Sequence, residues 1–156
     1  MNEDRLRKQI NFLIEADKLQ EIYRNTLLID NSRRETVVEH SWHFVLATIL
    51  FSGYSSAEIN LEKVIKMSLI HDLVEIYAGD IYAFDENNEQ QTGLKEQEAA
   101  EIIFNMLPEF QRLEFYFLWL EFNCNQTSEA QFANSIDRLQ PFISEYYSKK
   151  SHHPPK

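Results

Sequence analysis

His71 and Asp72 stand side by side at the end of an apolar run, Met67-Ser-Leu-Ile-His-Asp-Leu-Val-Glu-Ile-Tyr-Ala-Gly-Asp80, and Glu75 follows one turn later. Imidazole next to carboxylate is a donor set that suits Mn, Fe, Co, Ni or Zn better than Ca. On a helix, residues at i and i+4 share a face, so His71 and Glu75 point together. Asp72 lies about 100° round the axis from His71, so both reach one ion only if it sits over the helix near its end. The competing reading is a capped, hydrogen-bonded core histidine, and local spacing does not separate the two. Other candidate ligands are scattered. His40 and His43 are spaced i, i+3, and Asp137 is a lone acid between Ile136 and Arg138. Taken singly, each has an ordinary explanation as a packed histidine or a salt-bridged helix residue. No His-Glu-x-x-His, Gly-x-Ser-x-Gly, P-loop or Gly-x-Gly-x-x-Gly occurs in the chain.

The elements that must position these groups read as helices. Residues 3–16 place Leu6, Ile10, Leu13 and Ile14 at helical spacing with charges between them. Residues 19–35 read as a short helix or extended piece followed by a loop at Asp30-Asn-Ser. Thr36-Val-Val-Glu39 matches a capping box, which puts His40 in the first turn of a helix running to Phe51. That helix is apolar on nearly all sides, which predicts a central, buried position. Asn60 can cap a third helix, from Leu61 to about Tyr77. Residues 79–94 read as a long polar loop, a lid or substrate loop carrying Asp80, Asp85 and Glu86. Further helices are expected over about 95–107 and 109–122. The last opens on a second capping box, Ser128-Glu-Ala-Gln131, and Pro141 should kink it beside Asp137. No strand alternation stands out.

Composition sets the outer bounds. With 156 residues and 44% hydrophobic content, the chain suits one globular domain over residues 1–150, with 151–156 as a disordered tail. Gly 3 and Pro 4 are low counts that favour an all-α fold of about six main helices. The net charge of −10 argues against a nucleic-acid polymer as partner. No apolar run reaches the roughly 20 residues a membrane crossing needs. The single cysteine, Cys124, allows no internal disulfide and suits a cytoplasmic location.

Taken in order, the blocks carry more than any one of them. Arg33-Arg-Glu-Thr-Val-Val-Glu-His-Ser-Trp-His43, Ile70-His-Asp-Leu-Val-Glu-Ile-Tyr-Ala-Gly-Asp80, Leu118-Trp-Leu-Glu-Phe122 and Phe132-Ala-Asn-Ser-Ile-Asp-Arg-Leu-Gln-Pro141 follow one another. Over roughly residues 10–147 this resembles the HD-domain superfamily of metal-dependent phosphohydrolases, and within it the group related to the 5′-deoxynucleotidases. The resemblance implies a helical bundle and a divalent cation, one of Mn, Co, Fe, Mg, Ni or Zn. It implies His40, His71, Asp72 and Asp137 as metal ligands, with the Ile81 carbonyl a further ligand in relatives. Glu75 and Asp80 match acids assigned to catalysis or to a second ion. Arg24 and Arg33 are the substrate-binding candidates, Arg24 by its match to a phosphate-contacting arginine. The deoxynucleotidase pattern places Gly-Trp soon after that arginine, where this chain has Asn25-Thr26-Leu27. The implied activity is phosphomonoester hydrolysis through a metal-activated water, with nucleoside or deoxynucleoside 5′-monophosphates as the foremost substrates. A homodimer is implied as well, with the aromatic helices over 109–122 and 128–147 as its candidate surface. A nucleotide-binding or regulatory protein without turnover is the alternative, and a helical structural protein with a hydrogen-bonded His-Asp core is a third reading.

Overall fold

A computed structural model describes residues 3–79 and 89–151. Its elements in chain order are α1 (Glu3–Ala16), β1 (Tyr23–Leu27), β2 (Arg34–Thr36), α2 (Val37–Phe51), α3 (Leu61–Ile70), α4 (Glu75–Ala78), α5 (Glu89–Phe104), α6 (Glu109–Cys124) and α7 (Ser128–Ser151). The all-α expectation is met, with one small hairpin added. Helices α2, α3 and α7 pack on one another, and α6 closes over α3 and α7. Phe44, Val64, Met67, Ile103 and Phe104 form the fully buried centre. Each such side chain stabilises the fold by about 1.5–3 kcal/mol through removal from water. Among the described residues no helix is long and apolar enough to cross a membrane. The expectations for Asp80, the Ile81 carbonyl, Asp85, Glu86 and the tail over 152–156 lie outside the described residues.

Two helix starts form as their sequences dictate. Thr36 accepts from the Glu39 amide at 3.3 Å while Glu39 accepts from the Thr36 amide at 2.8 Å, a complete capping box. Asn60 accepts from the Lys63 amide at 3.2 Å and starts α3. Arg33 joins the first cap, donating to Glu39 at 2.5 and 2.8 Å. That arginine, and then the Thr36 amide, hold the Glu39 carboxyl down at about 2, against an ordinary value of 4.5. A depressed carboxyl contributes its stability above the unfolded-state pKa and loses it as the pH falls toward the folded one. Glu39→Gln is therefore expected to be less stable than wild type at pH 6, and the gap should narrow by pH 3 and close only as the pH falls through about 2; urea melts at pH 6 and pH 3 check the narrowing.

Five expectations change on folding. Residues 23–36 form a hairpin, with Tyr23 opposite Thr36 and Leu27 opposite Arg34. Its first strand is inverted: Tyr23 and Leu27 face out while Arg24 and Thr26 face in, so no inward apolar alternation marks it. On α1 the residue that packs is Phe12, edge-on to Phe115 at 6.0 Å, and Leu6, Ile10, Leu13 and Ile14 remain exposed. Helix α2 buries Val37, His40, Ser41, Phe44, Ala47 and Thr48 but leaves its opposite face in solvent. Helix α5 begins at Glu89, inside the stretch read as loop. The cap of α7 is Thr127 rather than Ser128: its Oγ1 accepts from the Ala130 amide at 3.2 Å. Pro141 lies inside α7, which runs on to Ser151.

Candidate metal centre

His40, His71 and Asp72 bring ligand atoms within 4.8 Å of one another, and Asp137 abuts the two histidines of this group. His40 comes from the first turn of α2, Asp137 from the middle of α7, and His71 and Asp72 from the point where α3 ends. There the helix tightens: His71–Val74 is a 3-10 turn, entered through Ile70 at φ −109°, ψ −13°. The change of pitch at the His-Asp pair allows adjacent side chains to reach the same place. A short helical turn, α4, follows and ends at Gly79, whose φ of +78° favours glycine.

His40 Nε2 lies 3.0 Å from Asp137 Oδ1, and His71 Nε2 lies 3.0 Å from Asp72 Oδ2. The cross distances are 3.7 Å from His40 Nε2 to Asp72 Oδ2 and 3.9 Å from His71 Nε2 to Asp137 Oδ1. Both histidine Nε2 atoms and Asp137 Oδ1 are buried with no hydrogen-bond partner among the described residues. These close approaches are thus not hydrogen bonds; the atoms point past each other at a common centre. Ion–ligand bonds of about 2.1 Å place neighbouring ligand atoms about 3 Å apart, so the spacing fits a bound divalent ion. The tautomers fit as well. His71 Nδ1 lies 3.1 Å from the Ser68 carbonyl oxygen, which can only accept, so Nδ1 carries the hydrogen and Nε2 keeps its lone pair for the centre.

Burial makes the site high-stakes electrostatically. It works to push the Asp72 carboxyl up, but the charges of His71 and Arg24 win and hold it well below the ordinary carboxylate value. Asp137 is likewise held low by His40 and His71 against its burial. Burial works against a proton on His71, yet the Asp72 charge raises its pKa above the ordinary 6.5. A bound divalent ion would replace that proton. Phe44 and Phe122 pack on the His71 ring at 5.0 and 5.1 Å and keep that side dry.

The centre opens into a cavity of about 680 Å³. Arg24, on the inward face of β1, reaches Asp72 Oδ2 at 2.7 Å, with Glu75 Oε1 at 3.9 Å. Glu75 therefore lines the same cavity as His71. Asn25, Thr26 and Leu27 also form part of the wall. Arg33 does not join it; this arginine is half-exposed and tied to Glu39. His43 stays outside the ligand group, with Nδ1 3.1 Å from Gln140 Nε2. Several wall residues went unremarked in the sequence: Glu96 on α5, and Asn123, Glu145 and Ser148. Glu96 has its carboxyl pushed up by burial and then by Asp72. No local signature marks any of them, because only packing brings α5 and the end of α7 to the cavity.

A family model described as HD domain matches residues 16–156. The chain belongs to the HD-domain family. Among solved structures, this HD domain is similar to a protein of Magnetospirillum magnetotacticum MS-1 described as a predicted metal-dependent phosphohydrolase. The two share 41% identity and a TM-score of 0.88, over 94% of this chain and 73% of that one. A conserved hypothetical protein from Pyrococcus furiosus shares 26% identity and a TM-score of 0.72, over 92% of this chain and 80% of that one. Among curated proteins, 5′-deoxynucleotidase HDDC2 of Homo sapiens is 27% identical over 143 residues, covering 90% of this chain and 69% of that protein. The Mus musculus protein of the same name is 28% identical over 127 residues, covering 80% of this chain and 60% of that one.

Proposed function

We propose that this HD domain is a metal-dependent phosphomonoesterase acting on small phosphorylated molecules, foremost nucleoside or deoxynucleoside 5′-monophosphates. The observation that carries the proposal is the convergence of His40, His71, Asp72 and Asp137 at the inner end of a cavity with one arginine in its wall. The wall sets Asp72, Glu75, Glu96, Asp137 and Glu145 against Arg24 as its only Lys or Arg among the described residues. Such a cavity repels a phosphate on its own, and a dication at the ligand cluster reverses the local sign. The names of the curated relatives support the nucleotide assignment.

His40, His71, Asp72 and Asp137 would hold the ion, which is one of Mn, Co, Fe, Mg, Ni or Zn. Bound there, it supplies Lewis-acid polarisation of a phosphoryl oxygen and acidification of water. Arg24 faces charge developing on the phosphoryl oxygens. Glu75, beside Arg24 in the wall, is placed to orient a water or accept its proton, and Asp80 shares this role in the proposal. Arg33 has the weaker claim on substrate because it is committed to Glu39. The protein loaded with Mn²⁺ or Co²⁺ is expected to release phosphate from a nucleoside-monophosphate panel and to lose that activity with a chelator. Metal-independent phosphate release, or activity unchanged in His71→Ala, would sink the proposal.

The reading extends to a cytoplasmic homodimer. Besides the aromatic helices over 109–122 and 128–147, which expose Phe117 and Phe142, the outer face of α2 presents Val38, Trp42, Leu46, Ile49 and Leu50, with no Asp, Glu, Lys or Arg after Glu39. A contiguous apolar stripe of this kind marks an interaction surface. Trp42→Glu should shift the protein from dimer to monomer in light scattering; a wild type that is monomeric at high concentration refutes the dimer.

A further inference from the structure

His40 is held from behind by groups that the proposed reaction does not use. Its Nδ1 lies 3.1 Å from Gln140 Oε1. The amide nitrogen of Gln140 lies 3.0 Å from Glu35 Oε2 and 3.1 Å from His43 Nδ1. His40, Gln140 and Glu35 are 0%, 2% and 3% exposed, so solvent settles none of these contacts. Glu35 is otherwise a costly residue to bury. Its second oxygen has no hydrogen-bond partner among the described residues and sits 3.7 Å from Arg24 Nε and 3.8 Å from His40 Nδ1.

Donor and acceptor rules order this cluster. An ionised carboxylate only accepts, so Glu35 requires the NH₂ of Gln140 on its side. Turning the amide over would set Gln140 Oε1 against Glu35 Oε2, two acceptors in contact. The Gln140 carbonyl oxygen therefore faces His40 Nδ1, and it too only accepts. Nδ1 then carries the ring hydrogen, and Nε2 presents its lone pair to the centre.

We infer that Glu35 and Gln140 are positioning residues for His40: Glu35 fixes the Gln140 amide, and Gln140 fixes the ring with Nε2 toward the metal site. The inference rests on the metal reading of that site. The two histidines differ in how this is done. His71 is oriented by the main-chain carbonyl of Ser68, which no side-chain substitution removes. His40 depends on side chains from β2 and α7, so its orientation can be removed and restored by substitution.

The test uses the full chain, with Co²⁺ as probe and two variants, Gln140→Leu and the double exchange Glu35→Gln with Gln140→Glu. The double variant swaps which partner is the amide and which the carboxylate, and so keeps an acceptor at His40 Nδ1. Two readouts are needed: Co²⁺ affinity by competition with a chromophoric chelator, and the solvent-exchangeable, hyperfine-shifted N–H protons of the ligating imidazoles. Wild type should show two such protons. Gln140→Leu should lose one and bind Co²⁺ about 10–100-fold more weakly. The double variant, folded by circular dichroism, should keep both protons and bind within about threefold of wild type. Gln140→Leu with both protons and wild-type affinity overturns the inference, as does a folded double variant as weak as Gln140→Leu. A wild type that takes up no Co²⁺ overturns the metal reading and this inference with it.

Discussion

Asp72→Asn is expected to fold, to take up no stoichiometric Co²⁺ or Mn²⁺, and to release phosphate from nucleoside monophosphates at least about 10³-fold more slowly than wild type. The two side chains are nearly the same shape, so the effect isolates charge. Asp72 Oδ2 is the shared atom of the centre, 3.0 Å from His71 Nε2, 3.7 Å from His40 Nε2 and 2.7 Å from Arg24 Nη1. Because His71 and Arg24 hold its carboxyl down against burial, it is an anion throughout the neutral range. Removing that charge leaves Arg24 facing an incoming cation with one balancing carboxylate fewer. The lost charge-assisted hydrogen bond should cost about 2 kcal/mol in the metal-free protein. Elemental analysis, a phosphate-release assay and a thermal melt measure the three effects; a variant with full metal content and activity within tenfold of wild type contradicts the assignment. The pH dependence follows from the histidine. Since the His71 pKa is raised above 6.5, its proton competes with the ion more strongly as the pH falls through that raised value. Metal affinity should weaken on that acid side and level off above it.

Arg24→Ala carries the second large effect. Arg24 is the only described Lys or Arg lining the cavity, and its side chain, 18% exposed, lies near three carboxylates, those of Glu35, Asp72 and Glu75. In the proposed reaction it also faces the phosphoryl group. Its loss is expected to lower kcat/KM by about 10²–10³-fold. It should also destabilise the protein by about 2–4 kcal/mol, because three acids are left crowded near the centre. Arg24→Lys should restore little activity, since one ammonium cannot reproduce a planar fork that spans several oxygens. Steady-state kinetics and urea melts of the two variants check this. An Arg24→Ala enzyme with unchanged kcat/KM removes the arginine from the mechanism. Arg33→Ala is the control: its pair with Glu39 is half-exposed, so its effect falls on the start of α2.

Much of the frame was legible in the chain because it depends on local chemistry. Thr36 with Glu39, and Asn60, mark helix starts through hydrogen bonds that close within one turn. The single helix read from Leu61 to about Tyr77 instead breaks after Ile70 into a 3-10 turn and α4, and local spacing did not show that break at the His-Asp pair. What misled was apolar spacing without knowledge of what covers it. The four exposed aliphatics of α1 satisfy helical periodicity as well as Phe12 does, and only Phe115, a hundred residues on, selects Phe12. In β1 the inward face is polar because it lines the cavity, so functional placement hid the strand.

By itself the sequence determined the helical class, the order of the blocks and which side chains could bind a cation, since these follow from residue type and short-range spacing. The tertiary structure alone decided that His40, His71, Asp72 and Asp137 meet, that Arg24 stands over Asp72, and that Glu35 and Gln140 stand behind His40. The physical reason is distance along the chain. These groups are brought together by packing α2, α3 and α7 around a common core, and no local interaction encodes the final few ångströms.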